Sequence, residues 1–192
     1  MRYYPLFADI NEKKCCVIGG GSVALRKARA LLDAGARVWV ISPRLSEGLR
    51  RLKNRSRITH INARYQARFL SGASVVIAAT DQRLVNARVS ADARKARIPV
   101  NVVDVPREST FIAPSYIARG DLVIAISTGG TAPALAKKIR RDLAAAAVPR
   151  YCRLLKKLAR ARTQFKGTVA SAGTRKKLLE AIIRSGLRRR TS

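Results

Sequence analysis

Cys15-Cys16-Val17-Ile18-Gly19-Gly20-Gly21-Ser22-Val23-Ala24 is the stretch that decides the fold: a short apolar run breaks into glycines and then begins a helix. The spacing Gly19-x-Gly21-x-x-Ala24 is the G-x-G-x-x-G/A form of a dinucleotide fingerprint. Gly19 permits the tight turn, Gly21 lets the backbone approach a pyrophosphate, and Ala24 lets the helix lie close to the strand. The helix N-terminus adds unsatisfied N–H groups and the positive end of the helix dipole. Working outward, residues 13–18 read as a strand and residues 22–34 as a helix with a stripe of Val23, Ala24, Ala28, Leu31 and Leu32. Gly35 stands where a helix-ending glycine belongs, and residues 36–41 form the next strand, completing a βαβ unit. Before it, Arg2-Tyr3-Tyr4-Pro5-Leu6-Phe7 is predicted to add an edge strand.

The 192 residues suit one medium domain and a smaller appendage. No apolar run approaches the length of a membrane span, and no apolar signal segment follows a basic start, so the expectation is a cytosolic protein without a membrane partner. The three cysteines fit that compartment: Cys15 and Cys16 face opposite sides of a strand, Cys152 is remote, and reduced thiols with packing roles are expected. His60 is the only histidine, so neither a His-rich metal cluster nor a Ser-His-Asp triad is supported, and a metal handled here is handled as substrate. The outlier is charge: 40 Lys and Arg against 11 Asp and Glu leave +29. Three readings stand: a nucleic-acid partner, a solvated basic surface, or steering of a small substrate rich in carboxylates. The basic residues are spread from Arg26 to Arg190 and aromatics are few, which argues against an RNA-stacking platform.

Ser42-Pro43-Arg44 forms the turn where a dinucleotide's adenosine ribose would lie, and it lacks the acidic residue that holds the ribose 2′-OH in NAD-binding folds. Ser42 can bond a hydroxyl, while Arg44 either accepts a 2′-phosphate or faces solvent, so residue chemistry leaves NAD and NADP both open. Residues 45–53 read as a short basic helix and 58–62 as a strand with His60 on its surface. The continuous apolar run 74–79 is typical of a parallel strand buried on both faces, and it ends at Thr80-Asp81, where a strand's carboxyl end meets the cofactor. Asp81 is the expected N-cap of a helix over 82–96. A strand over 98–103 delivers Asp104 to the edge of the sheet where ligands of open α/β folds bind; Asp104 is either the proton-transfer group or a turn aspartate before Val105-Pro106.

From Thr110 the pattern changes. Residues 111–116 and 121–127 read as two strands, the second running into Ser127-Thr128-Gly129-Gly130-Thr131, and Thr131 is expected to cap a helix over 132–147. This junction is either a second anion cradle, here for substrate carboxylates, or a turn and cap. Pro149 is expected to break the chain before a basic helical hairpin over 151–164 and 174–184, closing with Arg188-Arg189-Arg190. The fold class is therefore α/β: a Rossmann-like parallel sheet over 1–112, a small α/β segment over 113–148 and a basic helical segment over 149–192.

With these residues in place the chain resembles the precorrin-2 dehydrogenase/sirohydrochlorin ferrochelatase family, the dehydrogenase-chelatase half of sirohaem synthase. The matching pieces are Tyr4-Pro5-Leu6-Phe7, the glycine stretch with Arg26-Lys27-Ala28, Ala78-Ala79-Thr80-Asp81, residues 101–106, Phe111-Ile112-Ala113-Pro114-Ser115 and residues 127–133. The resemblance implies NAD+-dependent oxidation of precorrin-2 to sirohydrochlorin and, in bifunctional members, insertion of ferrous iron; methylation is not expected. It implies a homodimer with its interface within 113–148 and C-terminal helices that help wall the active site. Family cofactor contacts fall on Ser22, Val23, Pro43 and Arg44, with Gly19, Gly21, Ser42 and Thr80 beside them, and Asp104 matches the family's acid/base residue. Asn101, Ser127, Thr128, Gly129 and Gly130 are the expected substrate contacts; Thr128 stands where the family has a serine that is phosphorylated in some members. The competing class is a Rossmann-type redox sensor or nucleic-acid binder that uses the basic surface.

Overall fold

In the first 113 residues, five short runs rich in Val and Ile alternate with helices, and each run forms a strand of one parallel sheet. The computed structural model describes residues 3–187 and divides into two compact units, one ending at Ala113 and the other starting at Pro114. Unit one contains β1 (Lys14–Ile18), α1 (Ser22–Asp33), β2 (Arg37–Ile41), α2 (Glu47–Asn54), β3 (Ile58–Ile61), β4 (Val75–Ala78), α3 (Arg83–Lys95) and β5 (Val100–Val102). The strand order is β3-β2-β1-β4-β5, with Ile18 of β1 in register with Ile41 and with Ala78. This is the doubly wound order, and the chain reverses direction across the sheet between β1 and β4.

Both faces of the sheet are covered, which is why its strands are continuously apolar. Cys15, Val17, Val38, Val40 and Ile77 pack with Ala24, Ala28 and Leu31 of α1 and Leu49 of α2. Cys16, Ile18, Ile41, Val76, Val100 and Val102 pack with Val89 and Ala93 of α3. The neighbours Cys15 and Cys16 thus lie on opposite faces as free, buried thiols. Helix α1 ends as expected: Gly35, at φ 78°, donates its N–H to Leu32 O at 3.0 Å. The open side of edge strand β5 is padded by the segment after it, since Val100 N–H donates to Thr110 Oγ1 at 2.8 Å and Val102 N–H to Ser109 Oγ at 2.9 Å.

Unit two is an antiparallel hairpin, β6 (Ser115–Arg119) and β7 (Leu122–Ile126), followed by α4 (Pro133–Ala146), α5 (Val148–Thr168) and α6 (Ala172–Leu187). No helix among the described residues is long and apolar enough to cross a membrane.

Several sequence expectations shift. Residues 4–10 form no strand, and Tyr4, Leu6 and Phe7 are exposed; Arg2 and Arg188-Arg189-Arg190 lie outside the described residues. The hairpin begins at Ser115 and not at Phe111. The cause is that residues 109–111 are tied to β5, Phe111 O accepting from Asn101 Nδ2 at 3.1 Å, while Pro114 has no N–H to give a ladder. Asp81 does not cap α3; Gln82 holds that position, with its N–H donated to Thr80 Oγ1 at 3.2 Å. Thr131 does not cap α4 either: Ala132 holds the N-cap position without a side-chain cap, and its N–H donates to Thr128 Oγ1 at 3.2 Å. Pro149 opens α5 from its first turn, where a missing N–H costs nothing, and the break lies at Ala147.

Candidate functional site

The glycine loop joins β1 to α1 at the point where the strand order reverses. Its three glycines do different work. Gly19, at φ 128°, has no room for a side chain, because a Cβ would strike the Ala79 carbonyl beyond β4. A Cβ on Gly20 would strike the Arg44 carbonyl, whereas one on Gly21 would meet nothing within 4 Å. The first two glycines are wedged between the ends of β4 and β2; the third faces open space. Gly19 N–H donates to Ile41 O at 3.0 Å and Gly20 O accepts Ser46 N–H at 2.7 Å, fixing the loop. No side chain caps α1, which leaves the first-turn N–H groups of Ser22 and Val23 for an anion. A fixed, glycine-lined cradle at an uncapped helix start fits a dinucleotide pyrophosphate.

Beyond β2, the Ser42 hydroxyl donates to Arg44 O at 2.7 Å, so this buried serine closes its own turn. His60 Nε2 lies 2.9 Å from Ser42 O and fastens β3 to that turn. Pro43 and Arg44 are exposed on it. Beyond β4, Thr80 is gripped by Asn86 of α3, a residue the sequence reading passed over.

Beyond β5 stands Asp104, exposed and at φ 60°. Parallel strands place it on the same edge of the sheet as Gly19 and Thr80. Asn101 is 7% exposed and bonded at both ends of its amide: Nδ2 donates to Phe111 O, and Oδ1 accepts from Lys27 Nζ at 3.3 Å. Lys27 was also passed over. Burial pushes its ammonium below the usual lysine range, Arg26 pushes the same way, and the Asp104 charge opposes both. Lys27 and Asn86 share a signal visible in the sequence: each is a polar residue on an apolar helical stripe, Ala24-Lys27-Ala28-Leu31 in one case and Asn86-Val89-Ser90-Ala93 in the other.

In unit two, the loop after β7 is a turn built from its own hydroxyls. Ser127 Oγ accepts Gly129 N–H at 3.1 Å, Thr128 Oγ1 accepts Ala132 N–H at 3.2 Å, and Gly129 and Gly130 take φ 66° and 90°. A separate groove of about 510 Å³ runs between α5 and α6, with Arg153, Lys156, Lys157 and Arg160 beside Phe165 and Ile182. None of these four cations joins an ion pair found among the described residues. Among the described residues no three His, Cys, Asp or Glu side chains gather as a metal site.

A family model described as putative NAD(P)-binding matches residues 6–115, and one described as sirohaem biosynthesis protein central matches residues 119–146. The siroheme synthase of Nitrosomonas europaea is 45% identical over 167 residues, 86% of this chain and 35% of that protein. Siroheme synthase 1 of Aeromonas salmonicida is 42% identical over 184 residues, 95% of this chain and 39% of that protein. The chain thus spans between about a third and two-fifths of the length of these relatives. Among solved structures, SirC, precorrin-2 dehydrogenase, superposes with a TM-score of 0.78 at 24% identity, covering 94% of this chain and 89% of that one, so the two share a fold.

Proposed function

The chain belongs to the putative NAD(P)-binding family matched over residues 6–115, and from that premise we propose that it is an NAD+-dependent dehydrogenase oxidising precorrin-2 to sirohydrochlorin. The observation that carries this reading is the shared sheet edge: the glycine cradle after β1 and the carboxylate of Asp104 after β5 stand at the carboxyl ends of one parallel sheet. The names of the relatives supply the substrate class.

Oxidation removes a hydride and a proton from the macrocycle. Bound nicotinamide supplies the hydride acceptor. The chain does the rest. Gly19, Gly21 and the N–H groups of Ser22 and Val23 would hold the pyrophosphate, Ser42, Pro43 and Arg44 would serve the adenosine ribose, and Thr80 would be a further cofactor contact. Asp104 accepts the proton as general base. Asn101 and the Ser127–Gly130 loop are the substrate contacts in this reading, and the α5 cations, which join no ion pair found among the described residues, suit its acetate and propionate arms.

Ferrous iron is a second substrate in this reading. Insertion requires removal of the pyrrole N–H protons, which the same carboxylate takes one at a time and passes to solvent. In this reading the protein works as a homodimer in the cytosol, with residues 113–148 as the dimerisation segment and 149–192 as a separate C-terminal domain. An anaerobic assay with precorrin-2 and NAD+ tests the reading. NADH formed together with sirohydrochlorin, and lost in Asp104→Asn, supports it; no NADH from either NAD+ or NADP+ overturns it.

A further inference from the structure

We propose that Lys27 is the positioning residue of this site: its ammonium fixes the Asn101 amide and, through it, the turn that presents Asp104. The inference rests on the reading of Asp104 as general base.

Lys27 is an unusual tenant. It projects from the inner stripe of α1, where its neighbours at helical spacing are Ala24, Ala28 and Leu31, all buried. Placing an ammonium there costs desolvation free energy that an alkyl side chain of similar length would avoid. Its one hydrogen bond is to a neutral acceptor, Asn101 Oδ1 at 3.3 Å, and it joins no ion pair found among the described residues. Two of its three N–H donors therefore remain for other acceptors. The β1, β2 and β4 surfaces against α1 bring Cys15, Val17, Val38, Val40 and Ile77, so no carboxylate from the sheet core compensates the charge. The charged groups that act on it are Arg26, on its own helix, and Asp104, beyond β5.

Asn101 and Asp104 lie three residues apart, joined by the turn at Val103 in which Val105 N–H returns to Val102 O at 3.2 Å. Holding the Asn101 amide from both ends therefore holds the base of that turn.

The test is steady-state turnover of precorrin-2 by Lys27→Met, Lys27→Gln and Lys27→Arg, with NAD+ affinity and thermal midpoint as checks on folding. The expected result is that kcat falls about tenfold or more in Met and Gln while NAD+ affinity and thermal midpoint hold, and that Arg, which keeps donors for Asn101 Oδ1, stays near wild type. A kcat near wild type in Met and Gln, or a loss that Arg does not rescue, overturns the proposal. Asp104→Asn measured alongside separates the two readings: if that variant turns over normally, the base assignment itself is wrong, whatever Lys27 does.

Discussion

Asn86 grips Thr80 from three sides: Asn86 Oδ1 accepts the Thr80 hydroxyl at 2.7 Å and the Thr80 N–H at 3.2 Å, and Asn86 Nδ2 donates to Thr80 O at 2.9 Å. One buried amide thus shapes the backbone where β4 leaves the sheet beside the glycine loop. Asn86→Leu keeps the volume and strands these polar groups, at a cost of about 1–3 kcal/mol. The thermal midpoint of the variant should fall by several degrees, and NAD+ affinity should fall with it.

The first and third glycines should fail in different ways. Gly19→Ala places a Cβ against the Ala79 carbonyl at a φ of 128°, so the variant should unfold at markedly lower denaturant. Gly21→Ala has extended backbone and empty space around the new methyl. It should melt like wild type and bind NAD+ at least about tenfold more weakly. A calorimetric titration beside a melting curve checks both.

Asp104→Asn is the informative substitution at the base. Asn tolerates the left-handed conformation that Asp104 adopts at φ 60°, so the turn survives while the carboxylate is lost. NADH formation should drop about 10²- to 10⁴-fold with cofactor affinity unchanged.

Reversing charge in the α5 groove, as Lys156→Glu with Arg160→Glu, should raise KM for precorrin-2 several-fold and leave kcat near wild type. The effect should shrink as salt rises, because it is electrostatic. An unchanged KM would remove this groove from substrate capture.

Burial pushes the Cys15 and Cys16 thiols up from 9.0 to about 11. A raised thiol pKa means the folded state holds its proton where the unfolded chain has lost it. That stability is complete below pH 9 and is lost as pH rises from 9 to about 11, by about 1.4 kcal/mol per pH unit for each thiol. Denaturant midpoints measured across this window should fall steeply, and Cys15→Ser or Cys16→Ser should flatten the slope while lowering stability at neutral pH.

Much of unit one was legible because its determinants are local. An apolar run, a glycine at each required position and a helical stripe are read from neighbouring residues, and β1, α1, Gly35 and the fold class followed from them. The place of Asp104 beyond the end of β5 was legible for the same reason: it terminates an apolar run. What stayed hidden depends on which partner each polar side chain reaches. Thr80 bonds Asn86 and the Gln82 N–H, and Gln82, not Asp81, is the N-cap of α3; the Ala132 N–H goes to Thr128 Oγ1, and Ala132, not Thr131, is the N-cap of α4; Phe111 O is held by Asn101, and the hairpin begins at Ser115. In each case a polar side chain takes one partner among several within reach, and only the folded geometry says which. Lys27 is the clearest instance. The sequence by itself determined that a lysine interrupts the apolar stripe of α1; only the tertiary structure, by packing α1 where the Lys27 side chain reaches β5, decided that its ammonium meets Asn101 at the foot of the Asp104 turn.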